Sequence, residues 1–165
     1  MTALPAAREP GRYRIGMVCL GNICRSPMAD VVLATKVAEK GWDNVVEVAS
    51  CGTGDWHIGH PIDDRAGATL TRAGYDPSRH RAQQYSPAWR GYDVLLAMDE
   101  SNLADLGGRD ERVLMFREFD PDGPGEVSDP YYGGDDGFEE VLAMVERTST
   151  ALLARLPDAV DGLTD

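Results

Sequence analysis

In Cys19-Leu20-Gly21-Asn22-Ile23-Cys24-Arg25-Ser26-Pro27 a thiol and a guanidinium bracket a loop of five residues. The apolar run before it, Arg14 to Cys19, reads as a buried strand. The periodic stretch after it, Pro27 to Lys40, reads as an amphipathic helix ended by Gly41. Ser26 and Pro27 suit the N-cap and first-turn positions of that helix. Gly21 and Asn22 tolerate left-handed backbone angles, so the loop can curl and aim its N–H groups inward. Inward amides and the helix dipole together make an anion cradle. The same field, with Arg25 beside it, favours a thiolate at Cys19. The planar Arg25 fork can take two phosphate oxygens at once. A thiolate held in a phosphate cradle implies covalent phosphoryl transfer. A lone cysteine at a strand end is otherwise a small buried hydrophobe. The strand before it, the Gly-Asn inside the loop and the Ser-Pro after it lift this spacing above coincidence.

The elements that must position this loop follow the same alternation. Strands are expected at Val45 to Ser50, Val94 to Met98 and Val113 to Phe116. Helices are expected over Asp63 to Ala73, near Asp99 to Leu106, and over Phe138 to Leu156. Strands alternating with helices give an α/β fold with a parallel sheet covered on both faces. Ligands in such sheets bind beyond the carboxyl ends of the strands, where Cys19 falls. Residues 1–11, with Pro5 and Pro10 and no apolar period, read as a flexible tail; 12–157 as the domain; 158–165 as a frayed acidic end. The Gly-, Pro- and Asp-rich stretch from Asp120 to Gly137 reads as a surface loop of the kind that often carries function.

Composition narrows the class. The 165 residues suffice for one core, and a net charge of −12 argues against nucleic acid and anionic lipid as partners. The longest apolar run, Ile15 to Leu20, is too short to span a bilayer. Three cysteines form no disulfide framework. The expectation is a soluble, cytoplasmic domain that does not act at membranes.

Cys19 to Ser26 resembles the signature loop of the low-molecular-weight protein tyrosine phosphatases, second cysteine included. The resemblance continues through Ser50-Cys51-Gly52-Thr53-Gly54 with Trp56, through Met98-Asp99-Glu100-Ser101-Asn102, and through Asp129-Pro130-Tyr131-Tyr132-Gly133. It implies four parallel strands between helices, with the phosphate-binding loop (Leu20, Gly21, Asn22, Ile23, Cys24, Arg25 and Ser26) after the first strand. It implies a metal-independent signalling hydrolase that takes phosphotyrosine from proteins through a cysteinyl phosphate. Inorganic phosphate or vanadate would inhibit it, and it would need no cofactor and act as a monomer. Cys19 would be the nucleophile, Arg25 the phosphate clamp, and Ser26 a hydrogen-bond donor to the sulfur. Asn22 would hold the loop, with Ser50 and His80 in support. Asp129 would be the general acid and then the base. Ile23, Trp56, Tyr131 and Tyr132 would wall the substrate ring. Cys24 would close a reversible, protective disulfide with Cys19.

Asp120-Pro121 is a second Asp-Pro in the same segment, and chemistry alone does not choose between Asp120 and Asp129. Only the match through Asp-Pro-Tyr-Tyr favours Asp129. No Cys-x2-Cys pair occurs, so no metal site is expected. His57 and His60 read as solvent-facing loop residues, and Cys51 as structural. Among related chemistries, Ile23 stands where phosphoarginine phosphatases typically carry threonine. Arsenate reductases need a further cysteine pair, and none follows Cys51. A silent phosphopeptide-binding module would be expected to lack the nucleophile or the acid.

Overall fold

The computed structural model describes residues 2–131 and 133–163. In chain order the elements are β1 (Tyr13–Cys19), α1 (Arg25–Glu39), β2 (Val46–Gly52), α2 (Asp64–Arg72), β3 (Val94–Ala97), α3 (Glu100–Asp105), β4 (Val113–Met115) and α4 (Asp135–Ala159). Short 3₁₀ turns cover Pro87–Gly91 and Phe116–Phe119. The four strands are parallel in the order β2-β1-β3-β4, which puts β1 and its carboxyl-terminal Cys19 inside the sheet.

Alternation along the strands divides the core in two. Ile15, Met17 and Cys19 of β1, with Val94 and Leu96 of β3, join Met28, Val32 and Leu33 of α1 and Phe138, Val145 and Leu152 of α4. Val18, Leu95 and Ala97 face the other way, onto Trp89, Leu103 and Leu106. Gly16 makes room for that second layer, since a Cβ there would lie 2.7 Å from Leu95. The sheet is thus covered on both faces, as parallel sheets require. Among the described residues no helix is long and apolar enough to cross a membrane.

The chain ends differ from the sequence reading. The segment expected to be a loose tail is a strap: Leu4 is buried in the larger core, and Tyr13 donates its hydroxyl hydrogen to Pro5 O at 2.8 Å. Ala7 N–H donates to Ala159 O, and Arg8 N–H to Asp93 Oδ1. An extended strap carrying one apolar plug leaves no periodic signal. At the other end Ala159 and Val160 are buried and Leu163 packs on the core, so residues 159–163 are docked rather than frayed. Asp120 and Val127, inside the expected surface loop, are also buried.

Candidate active site

The loop between β1 and α1 has its carbonyls pinned outward. Cys19 O accepts from Thr53 N–H, Leu20 O from Gly54 N–H, Ile23 O from Asp63 N–H, and Cys24 O from Met28 N–H. Asn22 O accepts from His80 Nε2 at 2.6 Å, which fixes the proton on that nitrogen. Because a trans peptide points its N–H opposite its C=O, the following amides turn to the inside of the loop. Asn22 sits at φ +57°, the left-handed turn expected of this position. Gly52, at the end of β2, permits the close approach, since a Cβ there would meet Leu20 O at 2.7 Å and Asn22 N at 3.1 Å.

One of these amides, that of Asn22, reaches the sulfur. Cys19 Sγ accepts from Asn22 N–H at 3.3 Å and lies 2.9 Å from Ser26 Oγ. Ser26 Oγ accepts from Asn22 Nδ2 at 2.9 Å, so its single hydrogen is left for the sulfur. The other Asn22 Nδ2 hydrogen goes to Ser50 Oγ at 3.0 Å, and Gln83 N–H donates to Asn22 Oδ1 at 2.9 Å. Every polar atom of a wholly buried asparagine is therefore committed. Burial pushes His80 below its ordinary pKa, against the Asn22 carbonyl bond that favours its charged form. Burial pushes the Asp30 carboxyl up to about 7, against a Ser50 hydrogen bond that lowers it. Ser26 does not cap α1: Cys24 occupies the N-cap, without a side-chain bond, and Arg25 begins the helix. The serine hydroxyl instead lies between sulfur and Asn22.

Arg25 is buried, and burial disfavours its cation. The Asp99 hydrogen bond and the charges of Cys19, Asp129 and Asp99 outweigh that and raise its pKa. Its Nη1 donates to Asp99 Oδ2 at 2.6 Å and to Val127 O at 3.0 Å, which uses both hydrogens. Nε and Nη2 remain as the edge for a phosphate. Asp99 Oδ1 also caps α3 through Asn102 N–H, so one carboxylate ties the arginine to a helix start. Asp129, half exposed, places Oδ2 3.6 Å from Arg25 Nη2 and accepts from Tyr131 N–H through Oδ1.

Asp120 is elsewhere. Its carboxylate is fully buried between Arg117 and Arg147. Burial would raise its pKa, but the Arg147, Asp122 N–H and Arg117 hydrogen bonds hold it down at about 2. It is a structural anchor with both oxygens taken.

The loop opens into a pocket of about 310 Å³ lined by Cys19, Leu20, Gly21, Ile23, Cys24, Arg25, Trp56, His57, Asp129 and Tyr131. Trp56 is 65% exposed, and its ring lies over Gly54, where a Cβ would come within 1.9 Å of it. It is a wall rather than a core plug. Tyr132 lies outside the described residues. His57, expected to face solvent, is half-buried in the pocket wall, its ring 6.5 Å from that of Tyr131. Burial, followed by the charges of Asp63, Cys19 and Asp129, pushes the Cys24 thiol above its ordinary range. Cys51 is buried in the smaller core, as its structural reading expects. Among the described residues no group of three or more His, Cys, Asp or Glu side chains is placed to share a metal ion. The loop motif alone did not point to Thr53, Gly54, Asp63, Gln83, Asp99 and Val127, which bind it from distant parts of the chain.

A strand-to-helix loop that wraps thiol, hydroxyl and guanidinium around inward amides defines a cysteine-dependent phosphatase site. The low molecular weight phosphotyrosine protein phosphatase family model matches residues 14–161. A low molecular weight protein-tyrosine-phosphatase of Streptomyces coelicolor is 44% identical over 160 residues, covering 91% of this chain and 97% of its own. The low molecular weight protein-tyrosine phosphatase A of Mycobacterium tuberculosis is 42% identical over 153 residues, covering 89% and 91%. The crystal structure of YfkJ from Bacillus subtilis superposes with a TM-score of 0.83 at 31% identity, covering 92% of this chain and 98% of that one. The chain belongs to the low-molecular-weight protein tyrosine phosphatases, hydrolases that work through a cysteinyl-phosphate intermediate.

Proposed function

We propose that Cys19 is the nucleophile, Arg25 the phosphate clamp and Asp129 the acid and base of a phosphotyrosine-protein phosphatase. The observation that carries the reading is the set of outward-pinned carbonyls, which turns the loop amides inward, with the Asn22 N–H on Cys19 Sγ. The phosphoryl oxygens lie among the amides of residues 20–26, with two on the Nε and Nη2 edge of Arg25. Sulfur attacks phosphorus as the phosphorus–phenol oxygen bond breaks, and Asp129 gives its proton to the departing oxygen. The Asp129 carboxylate then takes a proton from water. The water oxygen attacks phosphorus, the sulfur–phosphorus bond breaks, and orthophosphate leaves with the thiolate restored. Ser26 donates to sulfur at both ends of the cycle, which makes the thiolate a better leaving group.

A phenyl ring is long enough to place phosphorus at Cys19 while Ile23, Trp56 and Tyr131 flank it, and a serine side chain is not. Large exposed apolar side chains among the described residues are Leu20, Trp56, Ile58 and Tyr131, all at the pocket or next to it in the chain. That clustering supports a monomer whose apolar surface is kept for substrate. Three free, buried cysteines support a reducing compartment such as the cytoplasm.

Cys19→Ser tests the assignment: turnover of a phosphotyrosine peptide should vanish while vanadate or phosphate still binds, because amides and Arg25 hold the anion. Arg25→Lys should be crippled in both, since an ammonium lacks the fork. Retained turnover in Cys19→Ser overturns the covalent mechanism.

A further inference from the structure

The Asp129 side chain is delivered by a long irregular segment, residues 120–131, which two arginines hold. Arg25 reaches from the cradle to Val127 O. Arg117, on the 3₁₀ turn after β4, is the other. Its Nη1 donates to Glu126 O at 3.0 Å, its Nη2 to Asp122 O at 3.4 Å, and its Nε to Asp120 Oδ2 at 2.9 Å. Gly125 lets the guanidinium lie against the loop, for a Cβ there would fall 2.7 Å from Nη1. Two further bonds fix the same point: Val127 N–H donates to Met98 O at 2.8 Å, and Glu126 Oε2 accepts from Glu100 N–H at 2.8 Å. Adjacent carbonyls, 126 and 127, are thus gripped by two guanidinium groups, and Asp129 follows two residues on.

We propose that Arg117 is a positioning residue for the Asp129 proton donor, acting through the Glu126–Val127 clamp; the inference rests on the reading of Asp129 as the acid. It differs from the anchor role of Asp120. Without Arg117, Asp120 keeps two bonds from Arg147 and one from Asp122 N–H, so the buried carboxylate stays paired. What is lost is the grip on the loop backbone. The phosphate cradle shares no hydrogen bond with Arg117, so chemistry that needs a proton should suffer and anion binding should not.

The test is Arg117→Ala and Arg117→Lys in the full chain, read three ways. Amide hydrogen exchange across residues 122–131 should quicken in Arg117→Ala while β1 and α1 stay protected. Turnover of aryl phosphates with basic leaving phenols should fall between about tenfold and a hundredfold, as expected for a misplaced proton donor. The loss should shrink as the phenol becomes more acidic, and vanadate affinity should change by less than about threefold. Arg117→Lys, which keeps a charge at Asp120 but not the reach to two carbonyls, should fall between wild type and alanine. Unchanged loop exchange overturns the clamp. Faster exchange with equal loss across the leaving-group series, or with no loss, overturns the positioning role. A wild type without activity on any aryl phosphate, or a flat series for Asp129→Asn, would instead sink the proposed function, and the positioning role with it.

Discussion

Asn22 is where shape and chemistry meet, and substituting it separates the two. Asn22→Ala removes two donated bonds, to Ser26 and Ser50, and one accepted from Gln83. At roughly 1 kcal/mol net each, that is about 3 kcal/mol. It also leaves an alanine at φ +57°, which adds roughly 1 kcal/mol that asparagine largely avoids. The sum, about 4 kcal/mol, is a large part of the roughly 5–15 kcal/mol that holds a typical domain folded. The loop can escape most of it by leaving its native conformation, so the cost should appear as lost cradle rather than lost fold. With tenfold per 1.36 kcal/mol, kcat/KM should fall by about two to three decades. Vanadate affinity should fall in parallel, because the same amides hold both. Asn22→Gly loses the same bonds without the backbone strain, and should outperform Asn22→Ala by about fivefold in both readouts. Urea unfolding, vanadate titration and steady-state kinetics on an aryl phosphate suffice. If Asn22→Ala keeps its vanadate affinity while kcat collapses, Asn22 acts on the chemistry and not on the shape of the loop. If glycine is no better than alanine, the positive φ carries no cost here.

Asp129→Asn should depress turnover of substrates with basic leaving phenols most, whereas Asp120→Asn should give a flat leaving-group series. It should also lose about 3 kcal/mol of stability from the broken buried pair; a steep series for Asp120→Asn would reverse the two assignments. The Asp30 carboxyl is raised from 3.8 to about 7, so the folded state keeps a proton that the unfolded chain has already released between those pH values. That stability is present in full below the lower value and is lost as pH rises through the upper one. Asp30→Asn should therefore raise the urea midpoint near about pH 8 and leave it unchanged near about pH 4, and parallel profiles would refute the reasoning. Peroxide inactivation of the wild type should be reversed by a thiol reductant. In Cys24→Ser it should become largely irreversible, and unchanged recovery would leave Cys24 as a buried packing residue.

The sequence determined what is local. Gly21 and Asn22 inside a strand-to-helix turn, with Cys19 and Arg25 at its ends, fix a curled loop because backbone conformation depends on a few neighbouring residues. Alternating apolar strands and amphipathic helices likewise dictate a parallel sheet covered on both faces, since each element must bury one side. The tertiary structure decided everything that joins distant segments. Asp120 and Asp129 are the same dipeptide with the same local preferences. Only the fold sandwiches the first between Arg117 and Arg147 and brings the second to Arg25 at the mouth of the pocket. Ser26 has the composition of a helix cap. The Cys19 sulfur and the Asn22 side-chain amide take its hydroxyl instead, and Ser50 of β2 holds that amide in place. His57 and the strap carrying Leu4 lack any periodic pattern, because a single side chain filling a single gap leaves no repeat to read. The outward pinning of the loop by Thr53, Gly54 and Asp63 is likewise invisible in the chain. Those hydrogen bonds are backbone contacts, which only packed geometry selects.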